Sequence, residues 1–232
     1  KFRFTALEAL CFISLWCLGA QRKGMVIIMR IITISREFGS GGRELGKRLA
    51  EELGVPCYDQ QIIEMVAEKE NLDKTYVSNV AGQNISAFYP STIARGFYRP
   101  NYSIMQSTQI MASQHDLIRK LASEGSCVII GRAADVILAD QKPFSIFVCA
   151  DEESKLKRCH ARAKADENLT DREMLRKCRD IDKRRASYRK MFTDKKWGEA
   201  SGYHLCVNTS GKEIKPLVSG ILEYIERWYS EE

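Results

Sequence analysis

Proline is scarce in this sequence, 5 residues in 232, and glycine amounts to only 15. That scarcity argues against a collagen-like, repeat or low-complexity chain, and 44% hydrophobic with 28% charged residues is ordinary for a globular domain. Histidine is scarcer still. His115, His160 and His204 stand far apart with no metal-ligand spacing, which argues against a zinc site. No CxxC pair occurs among the eight cysteines, several of which lie inside apolar runs such as Cys127-Val128-Ile129-Ile130. That usage fits reduced, buried thiols in a cytoplasmic protein better than a disulfide scaffold. A long hydrophobic run is also missing: Leu10 to Leu18 is too short to span a bilayer. Nor is there a strong charge of one sign. The surplus is +6, and residues 151–200 carry most of it, with 16 Lys/Arg against 11 Asp/Glu. A basic excess confined to one region without a recognition motif speaks against nucleic acid. It suits a small anionic ligand, or a solvated helix face.

The length predicts one domain with room for an inserted subdomain. Residues 1–24 are expected to stand outside the fold, because Met25 and Met29 come just ahead of the first well-formed strand pattern, and the domain is taken as 25–232. From there strands alternate with helices. Met29 to Ser35 is a short β-branched run; Arg43 to Leu53 places Leu45, Leu49 and Leu53 on one stripe, closed by Gly54. A helix is expected from Tyr58-Asp59, with Asp59 as its cap and Ile62, Ile63 and Val66 along it. Residues 80–103 lack periodicity and read as an irregular insertion, followed by a long helix from Ile104 to Glu124. Strands are expected at 127–130, 144–148 and 204–207, a charged helical stretch at 151–192 and a closing helix at 214–228, with Pro216 in its first turn. Strands joined by helical crossovers imply an α/β fold with a mainly parallel sheet.

The informative segment is Ile34-Ser35-Arg36-Glu37-Phe38-Gly39-Ser40-Gly41-Gly42-Arg43-Glu44. A glycine-bearing turn between the first strand and its helix brings backbone N–H groups and a helix N-terminus around one point, which attracts phosphate. The pattern G-x-x-x-x-G-K-[ST] is met imperfectly. With Gly42-Arg43 set on its Gly-Lys, Glu37 takes the first glycine's place and Glu44 that of the metal-binding hydroxyl. Arg43 then carries the charge that the lysine brings to the β/γ-phosphates. A tight turn that binds nothing is the alternative.

That loop resembles the altered phosphate loop of the cytidylate kinase-like proteins, a branch of the P-loop nucleoside monophosphate kinases. Three later stretches are similar to the same family: Val55-Pro56-Cys57-Tyr58-Asp59 at the start of the monophosphate-binding region, Cys127-Val128-Ile129-Ile130-Gly131-Arg132-Ala133-Ala134-Asp135 at the third strand, and Arg179-Asp180-Ile181-Asp182-Lys183-Arg184-Arg185 with Tyr203 to Ser210 at the lid helix and last strand. The resemblance implies a three-layer P-loop NTPase fold, with a monophosphate-binding insertion and helix at 80–124 and a helical lid at 151–200. It also implies transfer of the ATP γ-phosphoryl group to CMP or dCMP with Mg²⁺. On this reading Phe38, Gly39, Ser40, Gly41, Gly42, Arg43 and Glu44 hold the ATP phosphates, and Arg132 holds the acceptor's phosphate.

The residue types suit that chemistry, which rests on positioning and on neutralising phosphate charge. Thr170-Asp171-Arg172-Glu173 forms a capping box that starts a helix. Arg172, Arg176, Arg179 and Lys183 then recur along one face, and Arg158 and Arg162 form an i,i+4 pair before it. Arg179, Arg184 and Arg185 are the lid candidates. Asp59 is read either as a cap or as a substrate contact, and Asp135 as a helix N-terminal charge, a partner of Arg132 or an acceptor contact. Aromatics between Phe88 and Tyr102 can wall a base pocket. With Glu44 in place of the metal-side hydroxyl, Glu37 or Glu44 is the candidate metal ligand. A non-catalytic nucleotide-binding module and a kinase of a non-nucleotide acceptor are the alternative functions.

Overall fold

A computed structural model describes residues 29–80, 102–163 and 169–230. Five parallel strands, β1 (Ile31–Arg36), β2 (Cys57–Tyr58), β3 (Cys127–Ile130), β4 (Phe144–Cys149) and β5 (Leu205–Asn208), form one sheet in the order β2-β3-β1-β4-β5. Eight α-helices among the described residues connect and cover them: α1 (Gly42–Leu53), α2 (Gln61–Glu70), α3 (Lys74–Val80), α4 (Tyr102–Ser123), α5 (Ala134–Ile137), α6 (Glu152–Arg162), α7 (Asp171–Lys190) and α8 (Val218–Ser230).

The three layers follow from strand periodicity. Ile31 pairs with Cys127 and Thr33 with Ile129; these residues of β3, with Ile31, face a core made by Ile62, Ile63 and Val66 of α2, Ile110 and Ile118 of α4 and Ile137 of α5. Ile32, Ile34, Val128 and Ile130 point the other way, onto Leu45 and Leu49 of α1 and Ile221 and Ile225 of α8. A strand buried on both faces reads as a near-continuous apolar run, which β3 supplies throughout and β1 supplies in Ile31, Ile32 and Ile34, with Thr33 and Ser35 as buried polar exceptions. Each fully buried Ile or Leu contributes about 1.5–3 kcal/mol.

Three expectations require correction. Cys57-Tyr58 is a strand rather than a helix start, paired to Val128 and Ile129 at the sheet edge. Two residues are too few to show a period. Asp59 is accordingly no cap: α2 begins after Gln60, which gives no side-chain cap bond. The charged stretch divides at the capping box into α6 and α7 as expected, whereas Pro216, expected in the first turn of the closing helix, lies in a short 3-10 turn ahead of α8. The insertion expected at 80–103 and its aromatics lie largely outside the described residues.

The capping box of α7 is formed as the sequence predicts, with the Glu173 amide donating to Thr170 Oγ1 and the Thr170 amide donating to Glu173 Oε2. Thr170→Ala is expected to cost about 1 kcal/mol, measured as a shift of the urea midpoint with unchanged slope.

Candidate functional site

Parallel strands bring their C-terminal ends to one edge of the sheet, and ligands bind there in open α/β folds. Arg36 ends β1, Asp59 follows β2 and Gly131-Arg132 follow β3. The loop after β1 is pinned to its neighbours from below. The Glu37 amide donates to the Val148 carbonyl at 2.9 Å, Ser40 Oγ donates to the Glu37 carbonyl at 2.9 Å, and Thr209 Oγ1 donates to the Ser40 carbonyl at 2.7 Å. Gly41 caps α1 in the left-handed region, φ +83°, and a Cβ there would meet Ile214 Cδ1 at 2.5 Å. The first helical bond runs from the Leu45 amide to the Gly41 carbonyl. The amides of Gly42, Arg43 and Glu44 therefore open the helix with no intrahelical acceptor.

Two cavities flank this loop. The smaller, about 250 Å³, is lined by Gly39, Gly41 and Gly42 together with Arg158, Arg162 and Lys177 from α6 and α7. The larger, about 510 Å³, lies against Asp59, Arg132, Arg184, Arg189, Tyr188 and Trp197. Arg36, Phe38, Arg43 and Arg185 line both, so the cavities adjoin at those four residues. Six arginines face the larger cavity, against the carboxylates Asp59 and Glu64.

The crowding perturbs the arginines. Burial, then the charge of Arg185, pushes Arg36 down to about 9, against the opposing pull of Asp59. Burial likewise lowers Arg132 and Arg185. Cations disfavoured by burial and by one another are stabilised by an incoming polyanion. A carboxylate already occupies part of that role: Asp182 of α7 accepts the Phe38 amide at 2.8 Å and bonds Arg185 Nη1 at 3.1 Å, while burial raises its own pKa.

Of the expected phosphate-loop residues, Phe38, Gly39, Gly41, Gly42 and Arg43 line a cavity. Ser40 is fully buried and faces inward. Glu44 turns outward to Arg48 at 3.0 Å and Arg162 at 2.7 Å. Glu37 binds Lys155 at 2.8 Å and accepts the Ala150 amide. Neither carboxylate is left for a metal, and among the described residues no group of three His, Cys, Asp or Glu side chains converges. Mg²⁺ needs only one or two carboxylates beside substrate phosphates, and here both candidates are held by cations, Glu37 by Lys155 and Glu44 by Arg48 and Arg162. Arg132 and Asp59 line the larger cavity, and Asp59 bonds Arg43 Nε at 2.6 Å and Arg36 Nη2 at 3.5 Å. Asp135 pairs with Arg189 rather than Arg132, both buried.

On α7 the expected stripe is displaced. Arg172, Arg176, Arg179 and Lys183 line neither cavity, and Arg179 is exposed on Glu152. The facing stripe is Met174, Lys177, Ile181, Arg184, Arg185 and Tyr188. Burial of Met174, Cys178 and Tyr188 sets the rotation of the helix, and the arginines between them follow. The apolar spacing Met174-Cys178-Ile181-Tyr188 is the sequence signal that marks this face. Arg158 secures the loop by donating to the carbonyls of Gly39, Thr209 and Lys212. Arg36, Arg189 and Tyr188 were not singled out from sequence; for Arg36 the available signal was a charged residue ending an otherwise uncharged strand.

The model of the cytidylate kinase-like family matches residues 31–211. No curated protein matches the chain. Among solved structures, an uncharacterized protein from Eubacterium ventriosum is similar with a TM-score of 0.62 and 27% identity, covering 85% of this chain and 98% of that one. Shikimate kinases from Bacteroides thetaiotaomicron and Acinetobacter baumannii, the latter in complex with shikimate, each give a TM-score of 0.51. Identities are 15% and 16%, with 85% and 87% of this chain and 99% and 95% of theirs covered. They share the P-loop kinase fold.

Proposed function

The chain belongs to the cytidylate kinase-like family, and on that premise we propose that it transfers the γ-phosphoryl group of ATP to a nucleoside monophosphate, CMP or dCMP. The observation that carries this reading is the junction of two cation-lined cavities at Arg36, Phe38, Arg43 and Arg185. The smaller cavity, beside the glycine loop, suits the donor's triphosphate. The larger suits an anionic acceptor, whose phosphate meets Arg132 and Arg184, with Tyr188 and Trp197 as walls for a base.

The reaction asks little covalent work of the protein. ATP supplies the phosphoryl group; Arg43 and Arg185 hold the groups in line and share charge that spreads in the transition state. Asp182 leaves the Phe38 amide when a phosphate oxygen takes that donor. Mg²⁺ arriving with ATP would screen the phosphate charge, and Glu37 or Glu44 would supply a carboxylate only on leaving its present cation partner.

One observation favours a second reading. Asp59 places a carboxylate beside Arg43 at the junction, a position suited to accept the proton of an alcohol, so a small anionic alcohol is the alternative acceptor. A coupled ADP-release assay over CMP, dCMP, UMP, AMP, GMP and shikimate separates the two. ADP formation dependent on CMP or dCMP is the expected result. Release with shikimate alone supports the alcohol reading, and triphosphate binding without turnover on any acceptor overturns both in favour of a non-catalytic module.

A further inference from the structure

We propose that Arg36 bridges the donor and acceptor phosphates, supplying from the strand end the charge that a P-loop lysine supplies from the helix start. The proposal rests on the phosphotransferase reading above and adds the residue that joins its two sites.

In the usual loop the lysine follows the last glycine as the helix opens. Here α1 opens on Gly42, which has no side chain. The next residue, Arg43, is half exposed and directs Nε onto Asp59 at 2.6 Å. Its charge is thus partly used on the acceptor side. Arg36 is placed differently. Its side chain leaves the end of β1 and threads between two glycines from separate elements. A Cβ on Gly42 would meet Arg36 Cβ at 2.5 Å, and a Cβ on Gly131 would overlap the guanidinium itself. Gly131 also has φ +78°, so its lack of a side chain serves both the turn after β3 and the passage of Arg36.

The slot delivers the guanidinium to the wall shared by both cavities, with 14% of the side chain exposed. Arg185, Arg132 and Arg43 surround it, and the carboxylate paired with it, Asp59, stands at 3.5 Å. Burial and these like charges weaken its proton affinity, yet a guanidinium keeps its charge at neutral pH. A planar fork can address oxygens of two phosphate groups at once, which a lysine point charge does less well. The empty protein thus holds an under-compensated cation at the place where two phosphates approach.

The test compares Arg36→Met, Arg36→Lys and Gly131→Ala with the unaltered chain, by calorimetric titration of a non-hydrolysable ATP analogue, by ADP release, and by thermal melting without ligand. Arg36→Met is expected to melt no lower than the unaltered protein, because a crowded buried charge is removed, while analogue affinity falls roughly 10–100-fold. Arg36→Lys recovers part of that affinity. Gly131→Ala keeps the charge but displaces it, and is expected to lower kcat at least about tenfold with a smaller change in analogue affinity. Unchanged affinity and kcat in Arg36→Met overturns the proposal, as does a melting temperature that falls together with affinity in all three variants. If the unaltered chain binds the analogue but turns over no acceptor, the assignment as a kinase fails while the affinity of Arg36→Met still decides the role of Arg36. An unaltered chain that binds no analogue refutes both.

Discussion

Asp135→Ala is expected to lower the unfolding free energy by about 3–5 kcal/mol, the range for removing one partner of a buried ion pair. Asp135 and Arg189 are 6% and 4% exposed in their side chains, and the Arg189 guanidinium also lies 5.0 Å from the centre of the Tyr203 ring. Truncation at Asp135 strands the arginine charge in a position water barely reaches. Removing both charges is a different change: Asp135→Leu with Arg189→Met trades a desolvated pair for apolar packing and is expected to recover most of the loss. Urea unfolding of the two proteins at pH 7 checks this. A single-variant cost below about 1 kcal/mol, the level of an exposed pair, would remove the pair from the list of stabilising interactions. Because Arg189 lines the larger cavity, the same variant also tests whether this pair holds that cavity's wall in place.

The second large effect is alkaline. Raising the pH from 8 to 10 is expected to cost about 3 kcal/mol of stability through Cys127 and Cys178, at about 1.4 kcal/mol for each thiol and each pH unit above its unfolded pKa. Both are almost fully buried. Burial, and then the neighbouring Cys57, pushes Cys127 up to about 11; burial, and then Cys159, pushes Cys178 up to about 12. The folded state therefore keeps protons that the unfolded chain loses above its ordinary value near 9. Stability from these thiols is complete below pH 9 and is lost as the pH climbs towards 11. Chemical unfolding at pH 8, 9 and 10 measures it, with Cys127→Val/Cys178→Ala as the reference. Equal pH slopes in the two proteins would show that neither thiol resists ionisation in the fold.

Legibility of the fold differed between elements for a physical reason. The strands expected at 127–130 and 144–148 and the helix expected at 43–53 are readable because each carries its own pattern: a near-continuous apolar run, broken only by Ser145, for strands covered on both faces, and Leu45 and Leu49 for a helix covered on one. Cys57-Tyr58 has no such period, since an edge strand of two residues takes its conformation from pairing with β3. The glycine loop was legible as a tight turn between the first strand and its helix because its residue types constrain backbone conformation directly. The partners of its charged neighbours were not. Glu44 was a metal candidate by its place after Arg43, yet α6, remote in sequence, brings Arg162 to it.

The α7 stripe makes the same point from the other side. Charge periodicity selected Arg172, Arg176, Arg179 and Lys183, but polar residues on a helix surface follow the rotation that apolar burial imposes. Met174, Cys178 and Tyr188 fix that rotation, which leaves Arg179 on Glu152 and turns Arg184 and Arg185 inward.

By itself the chain's order of residues determined the layered α/β architecture, the position of the glycine loop after the first strand, and the capping box that starts α7. Those features rest on local periodicity and on backbone preferences that neighbours in sequence dictate. Only the tertiary structure decided which cations share a site. Arg36, Arg43, Arg132 and Arg185 come from four separate segments, and they meet because parallel pairing lines up the strand ends while the absent side chains of Gly42 and Gly131 let one guanidinium pass between them.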